Sequence, residues 1–269
     1  MYRSLKIAIV YFLMMYTWGA YAGTAVLGTL TDYKPFTFGP PASKSLEETI
    51  PPGKDSEKLV GYDWDVIRES FHSMGYKINL NVVPWSRGVK MLEKGKFKGL
   101  FPTTKTEERM KKYLYSKIPI HTLKVTLYAN KDTAIKWDGN LETLEKVLEG
   151  KTVGVQRDWS YGSWWDSRKD KFKFKIEKVN DSIANFKKLK SGRIQVALGY
   201  DITSDTVLKE EKMTGLFKKI GTIAETKEYL ATHKDLGDDK VIKTFEQGFE
   251  KISKSGVLAN IKKKWNVAD

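Results

Sequence analysis

The chain has 269 residues, no cysteine, 47 Lys and Arg against 33 Asp and Glu, and a formal charge of +14 at pH 7. Without cysteine there is neither a disulfide framework nor a lipid-modified anchor. The basic balance raises nucleic acid as a partner, but the lysines are spread along most of the chain, with no Arg-rich segment and no DNA- or RNA-binding motif. Anionic ligands, or an acidic surface, suit that distribution better.

Residues 1–22 read as a signal peptide. Arg3 and Lys6 give a positive start, Ile7 to Trp18 is almost wholly apolar, and Ala20-Tyr21-Ala22 offers small residues at the cleavage positions, so that cleavage falls before Gly23. Removing Arg3 and Lys6 lowers the charge of +14 by two, to +12. The remaining length suits one large domain or two lobes of ordinary size. An exported, cysteine-free chain points to the periplasm.

Ala25 to Leu30 reads as a buried strand, and Thr31 to Phe38 as an aromatic loop at its C-terminal end. Gly39 to Leu59, rich in Pro, Ser, Lys and Glu, has no apolar period and reads as an exposed insertion. The spacing predicts a helix over Asp63 to Met74, ended by Gly75, then a strand over Tyr76 to Val83. Trp85 follows Pro84; its ring can stack on a ligand or fill the space under the next helix. Val89 and Leu92 share a helix face that Gly95 ends, and an apolar strand around Leu100 follows.

The stretch after that strand carries the chemistry. Thr103, Thr104 and Thr106 supply hydroxyls at a strand end, and Arg109 places a forked cation nearby, a set that suits a small carboxylate. Thr106 also reads as a helix cap, with Glu107 and Glu108 in the first turn. The two readings are compatible, because a capped helix start is itself an anion site.

Lys124 to Ala129 is a strand that carries the chain into a second lobe. There a helix with Leu141, Leu144, Val147 and Leu148, a strand over Lys151 to Val155, and a loop over Gln156 to Tyr161 follow in turn. Ile183, Phe186 and Leu189 define another helix, capped by Asp181 or Ser182. Leu189-Lys190-Ser191-Gly192-Arg193-Ile194 repeats the helix-stop-strand device of Leu92-Glu93-Lys94-Gly95-Lys96-Phe97. Superposing the two sets Pro102-Thr103-Thr104 against Gly199-Tyr200-Asp201, so each lobe presents a polar cluster at the same topological point, facing the other across a cleft. Strands over Leu216 to Ile223 and Glu228 to Thr232 return the chain to the first lobe, and helices over Asp238 to Ser253 and up to Trp265 close it.

Gly61-Tyr62-Asp63-Trp64-Asp65-Val66, the Gly95-Lys96-Phe97 turn, Thr106-Glu107-Glu108-Arg109, Ser116-Lys117-Ile118-Pro119 and the closing Ile-x-x-Lys-Trp stand in an order that resembles the family-3 extracellular solute-binding proteins, the polar amino-acid-binding components of ABC importers. The resemblance covers nearly all of the chain after residue 22. It implies a two-lobed α/β periplasmic-binding-protein fold of type II, with the second lobe inserted into the first and two hinge crossings. Lobe one would be 23–121 and 225–269, and lobe two 122–224. It implies a monomer that hands a small solute to the membrane subunits of an ABC importer, without cofactor, metal or nucleic acid.

By the same resemblance Arg109 takes a ligand carboxylate in a two-pronged contact, aided by Thr104 and the N–H groups near Thr106, while Tyr33 and Trp85 cover the apolar part. The family's amino-group partner is an acid after the second lobe's strand; strict spacing puts Tyr200 there, with Asp201 next. Arg157 stands in a loop usually built from Gly and Thr, and Phe101-Pro102 where small polar residues are common. These departures favour an anionic or aromatic ligand. Two alternatives stay open: a dehydratase-like enzyme on the same scaffold, or a ligand-sensing module for a membrane receptor. His72, His121 and His233 stand beside no second metal-type ligand, no nucleophile or dinucleotide motif occurs, and Asp63/Asp65 and Asp238/Asp239 fall at helix starts, where the dipole accounts for them.

Overall fold

A computed structural model describes residues 21–39, 45–237 and 239–267. The first half holds β1 (Gly23–Thr29), a small hairpin of β2 (Asp32–Tyr33) and β3 (Thr37–Phe38), β4 (Leu46–Ile50), α1 (Tyr62–Ser73), β5 (Tyr76–Val82), α2 (Trp85–Glu93), β6 (Gly99–Thr104), α3 (Glu107–Lys112) and β7 (Tyr113–Tyr115). Strand β8 (His121–Asn130) carries the chain into the second half: α4 (Leu141–Leu148), β9 (Thr152–Gln156), α5 (Ser163–Asp166), β10 (Lys175–Val179), α6 (Ser182–Lys190), β11 (Val196–Tyr200) and α7 (Asp201–Glu210). The long β12 (Phe217–His233) returns it to α8 (Lys240–Lys254) and α9 (Val257–Trp265). The predicted signal peptide lies outside the described residues as far as residue 20.

Each half is an α/β lobe. In the first, β1 lies parallel between β5 and β6; in the second, β9 lies parallel between β10 and β11. Helices join these parallel neighbours, so the inner strands β1, β6, β9 and β11 are largely buried, whereas β5 and β10, further out in the sheet, keep polar residues. The lobes share one sheet, in the order β10-β9-β11-β8-β12-β6-β1-β5-β4. The antiparallel pair β8 and β12 forms its middle, with partners running from Phe217–Asn130 to Glu228–His121. Two register shifts, between Lys219 and Gly221 and between Thr222 and Ala224, interrupt that ladder, and such irregularities bend and twist a strand.

Helix α1 is the packing centre of the first lobe. Trp64, Val66, Ile67 and Phe71 have no exposed surface, and burying each contributes roughly 1.5–3 kcal/mol. Gly61 starts the helix at φ +140, where a Cβ would stand 2.0 Å from the Phe36 carbonyl oxygen, so only glycine fits between α1 and the β2–β3 hairpin. Asp65 then ties the helix to its neighbours: Arg68 Nη1 donates to one carboxylate oxygen at 2.8 Å, and Lys264 Nζ and Trp265 Nε1 to the other, each at 2.7 Å. The C-terminal Lys-Trp pair is thus a clamp on α1.

Two expectations are corrected here. Residues 39–59 are not simply an exposed insertion. Leu46–Ile50 pairs antiparallel with β5, and Leu46, Ile50 and Leu59 are buried. The five-residue Leu-Glu-Glu-Thr-Ile segment alternates inward and outward as an edge strand should. Trp64 Nε1 donating to Asp55 Oδ1 at 2.8 Å fastens the following turn. The return path is also one 17-residue strand rather than two shorter ones, because β12 spans both lobes.

Candidate functional site

The C-terminal ends of the parallel strands from both lobes meet in a cleft, as open α/β sheets place their ligand crevices. Leu30 and Tyr33 follow β1, Trp85 opens the helix after β5, and Pro102 and Thr104 end β6. From the second lobe, Trp159 and Ser160 follow β9, and Tyr200 ends β11. With Arg109 of α3 and Glu228 of β12 they line a small cavity. Arg109, Trp159 and Ser160 also line a wider groove between α2 and α3 on one side and residues 158–169 on the other, so they stand at the mouth of the inner cavity.

The mouth is bridged. Arg109 Nη2 and Trp85 Nε1 both donate to the Asp158 carbonyl oxygen, at 2.8 and 3.2 Å. The Arg109 guanidinium lies 5.6 Å from the centre of the Trp85 ring, and its Nη1 reaches the Thr104 carbonyl at 3.3 Å. The forked cation of one lobe is therefore held by a backbone oxygen of the other, where a carboxylate would be a stronger acceptor. Asp158 itself is in the left-handed region, at φ 61. Thr106 caps α3 by accepting from the Arg109 backbone N–H at 3.1 Å, which fixes the turn carrying Arg109.

Aromatic rings fill the inner wall. Trp159 stacks on Tyr200 at 5.2 Å between centres, and Tyr33 meets Trp159 edge-on at 5.2 Å and Tyr200 at 5.9 Å. The Tyr200 hydroxyl donates to the Ser160 carbonyl at 2.8 Å. The Tyr33 hydroxyl lies 3.4 Å from His121 Nε2, and His121 Nδ1 lies 2.7 Å from Asp63 Oδ1. His121 also stacks on Phe36 at 3.9 Å. A buried chain of polar groups thus runs from the N-terminal turn of α1, through the start of β8, to the cavity.

Thr104, Glu228 and His121 lie on adjacent strands in one row of the sheet. Thr104 Oγ1 donates to Glu228 Oε1 at 2.7 Å. Burial pushes the Glu228 carboxyl up to about 7, with Asp63 adding to the rise, while His121, the Thr104 hydroxyl and Arg109 oppose it. Burial, followed by repulsion from Glu228, also lifts the Tyr33 and Tyr200 hydroxyls well above the usual phenol range. Nearby, burial raises Asp32 to about 6, with Asp181 of the second lobe contributing.

The cavity brings together five residues singled out in the sequence: Tyr33, Trp85, Thr104, Arg109 and Tyr200. The other three lie elsewhere. Thr106 lines the outer groove. Arg157 is exposed, with Nε 3.3 Å from Asn180 Oδ1. Asp201 opens α7 and accepts from the Lys124 backbone N–H at 3.2 Å, so Tyr200 rather than Asp201 faces the cavity. Trp159, Ser160, His121 and Glu228 were not singled out. Period-two parity could have found Glu228, since Thr226, Glu228 and Leu230 share the buried face of β12. The helix dipole is also not the whole account of Asp63, whose Oδ1 meets a buried histidine. Among the described residues no group of three or more His, Cys, Asp or Glu could hold a metal ion.

A cavity between two α/β lobes that share paired crossing strands is the arrangement of a two-lobed solute-binding protein. Residues 26–268 match the bacterial extracellular solute-binding proteins, family 3, and the chain belongs to that family. It is 25% identical over 242 residues to the arginine-binding extracellular protein ArtP of Bacillus subtilis (strain 168), covering 89% of this chain and 85% of that protein. Its fold matches an ABC uptake transporter substrate binding protein from Streptococcus pneumoniae with bound histidine, at a TM-score of 0.73 and 18% identity over 91% of this chain and 93% of the other. It also matches a histidine kinase sensor domain with similarity to periplasmic binding proteins, at a TM-score of 0.73 and 20% identity over 90% and 95% of the two chains.

Proposed function

We propose that this protein captures a small carboxylate-bearing solute, an amino acid or a close relative, between its lobes and delivers it to the membrane subunits of an ABC importer. The observation that carries the reading is the placement of Arg109, whose guanidinium faces the cavity beside Thr104 and bonds a carbonyl of the opposite lobe at 2.8 Å. A ligand carboxylate would replace that carbonyl and bind both lobes to itself. Thr104 would assist, the backbone held by the Thr106 cap would fix the approach, and Tyr33, Trp85 and Tyr200 would cover the rest of the solute. Lobe one would comprise 23–121 and 225–269 and lobe two 122–224, moving about β8 and β12 as a hinge.

Removal of residues 1–22 as a signal peptide would release a monomer into the periplasm. The name of the arginine-binding relative supports an amino-acid ligand. The test is a thermal-shift screen of the twenty L-amino acids, small organic acids and small oligosaccharides, since a ligand of the folded state raises the melting temperature by mass action. A rise confined to carboxylate-bearing solutes supports the reading; a rise with oligosaccharides alone refutes it. A sensing role has one observation in its favour, the fold match to a histidine kinase sensor domain. Association with a receptor ectodomain, and not with importer subunits, would favour it.

A further inference from the structure

The inner cavity has two charged side chains in its lining, Arg109 and Glu228. In the second lobe, β11 ends on Tyr200, which faces the cavity. Its hydroxyl is engaged with the Ser160 carbonyl and stays protonated well above the usual phenol range. Asp201, the next residue, is turned to the Lys124 backbone and outside the cavity. The second lobe therefore contributes no carboxylate to the inner cavity. Glu228 does, and it comes from the crossing strand β12, three per cent exposed and flanked in the sheet by Thr104 and His121.

Burying a carboxyl in an aromatic-walled cavity is costly unless something of opposite charge arrives there. The walls around it suit a cation: Tyr33, Trp159 and Tyr200 line the same space, and ring faces attract ammonium groups. The two charged groups also differ in depth. Arg109 lines both the inner cavity and the outer groove, whereas Glu228 lines the inner cavity alone.

We propose that Glu228 receives the cationic end of the solute, so that the protein selects zwitterions, with the ammonium group inward against Glu228 and the carboxylate at the mouth on Arg109. This assignment rests on the solute-capture reading above and names its ligand class. It makes Glu228 a specificity-determining residue and places the acid of the site in the hinge.

The experiment is calorimetric titration of wild type and Glu228→Gln with each amino acid that raises the melting temperature, alongside its N-acetyl derivative and its deaminated acid. The glutamine variant keeps an oxygen for Thr104 and differs chiefly in charge. Wild type should bind the amino acid and bind the two non-cationic counterparts at least about tenfold more weakly, and Glu228→Gln should lose about tenfold or more for the amino acid while its affinity for the deaminated acid stays put. Proton linkage supplies a second readout that a structural role would not move. Glu228 is faced by Arg109, His121, Asp63, Tyr33 and Tyr200. An ammonium group beside it would drive off the proton it shares near pH 7, so wild type should release about half a proton on binding, measured in buffers of different ionisation enthalpy, and the variant none. Equal binding of amino acid and deaminated acid, with no effect of Glu228→Gln, overturns the inference and leaves solute capture standing. If no carboxylate-bearing solute binds wild type, capture itself fails and the inference with it.

Discussion

Replacing Glu228 by glutamine should alter stability in a way that depends on pH. Its carboxyl is raised from an ordinary 4.5 to about 7, burial being the main cause. Between those two values the folded protein holds a proton that the unfolded chain has released, so stability falls as pH rises through that interval and is intact below about 4.5. At about 1.36 kcal/mol for each factor of ten in proton affinity, the full loss is roughly 3 kcal/mol. Glutamine carries no such proton and keeps an acceptor for Thr104. In the ligand-free protein, Glu228→Gln should therefore gain on wild type by about 3 kcal/mol between pH 4.5 and 8.5. At about 2–4 °C for each kcal/mol in a chain of this size, the melting-temperature gap should widen by roughly 6–12 °C. Urea unfolding at several pH values measures it, and taking the difference between the two proteins removes every other titrating group. A gap constant across that range would show that Glu228 is ionised at little cost, and the reasoning from burial would be wrong.

Arg109→Ala should weaken solute binding by about 10- to 150-fold, the equivalent of losing a charge-assisted contact of roughly 1.5–3 kcal/mol, while Arg109→Lys should recover only part of it because the two-pronged contact is lost. Calorimetric titration with undiminished affinity for the alanine variant would refute the carboxylate role. Gly248→Ala would place a Cβ 2.0 Å from the Ser70 carbonyl oxygen of α1, and because the obstacle is backbone the α1–α8 contact must open. The expected cost is about 1–3 kcal/mol, read in urea unfolding; a neutral result would mean that this helix contact is looser than it stands here.

Elements with a regular apolar period were legible in the sequence: α1, α2, α4, α6 and the buried strands β1, β5, β8 and β9 emerge near their observed ends. Arg109 and Thr104 were legible for another reason. A hydroxyl at a strand end and a cation in the next helical turn are local chemistry, visible at a separation of five residues. Edge strand β4 was hidden because its outward positions are Glu47 and Thr49, its middle inward position is the glutamate Glu48, and its neighbours are Pro, Ser and Lys, so its apolar period rests on Leu46 and Ile50 alone. Glu228 was hidden because its meaning is non-local. It sits 124 residues from Thr104 in the chain, and only the pairing of β12 with β6 and β8 places it beside Thr104 and His121. Asp63 was read from its helix position alone, and its histidine lies 58 residues away. The two-lobe plan could be read from the repeated helix-stop-strand device, but that the lobes share one sheet through β12 could not, since strand order is fixed by pairings between distant segments.

The absence of cysteine makes closure directly measurable. Spin labels on Glu108→Cys and Lys169→Cys would stand on opposite walls of the outer groove, both positions being exposed. Pulsed electron resonance should show the distance distribution shift to shorter values and narrow when the amino acid with the largest thermal shift is added, and Arg109→Ala should abolish the change at the same concentration. A distribution that stays the same at saturating amino acid would contradict capture of the solute between two moving lobes.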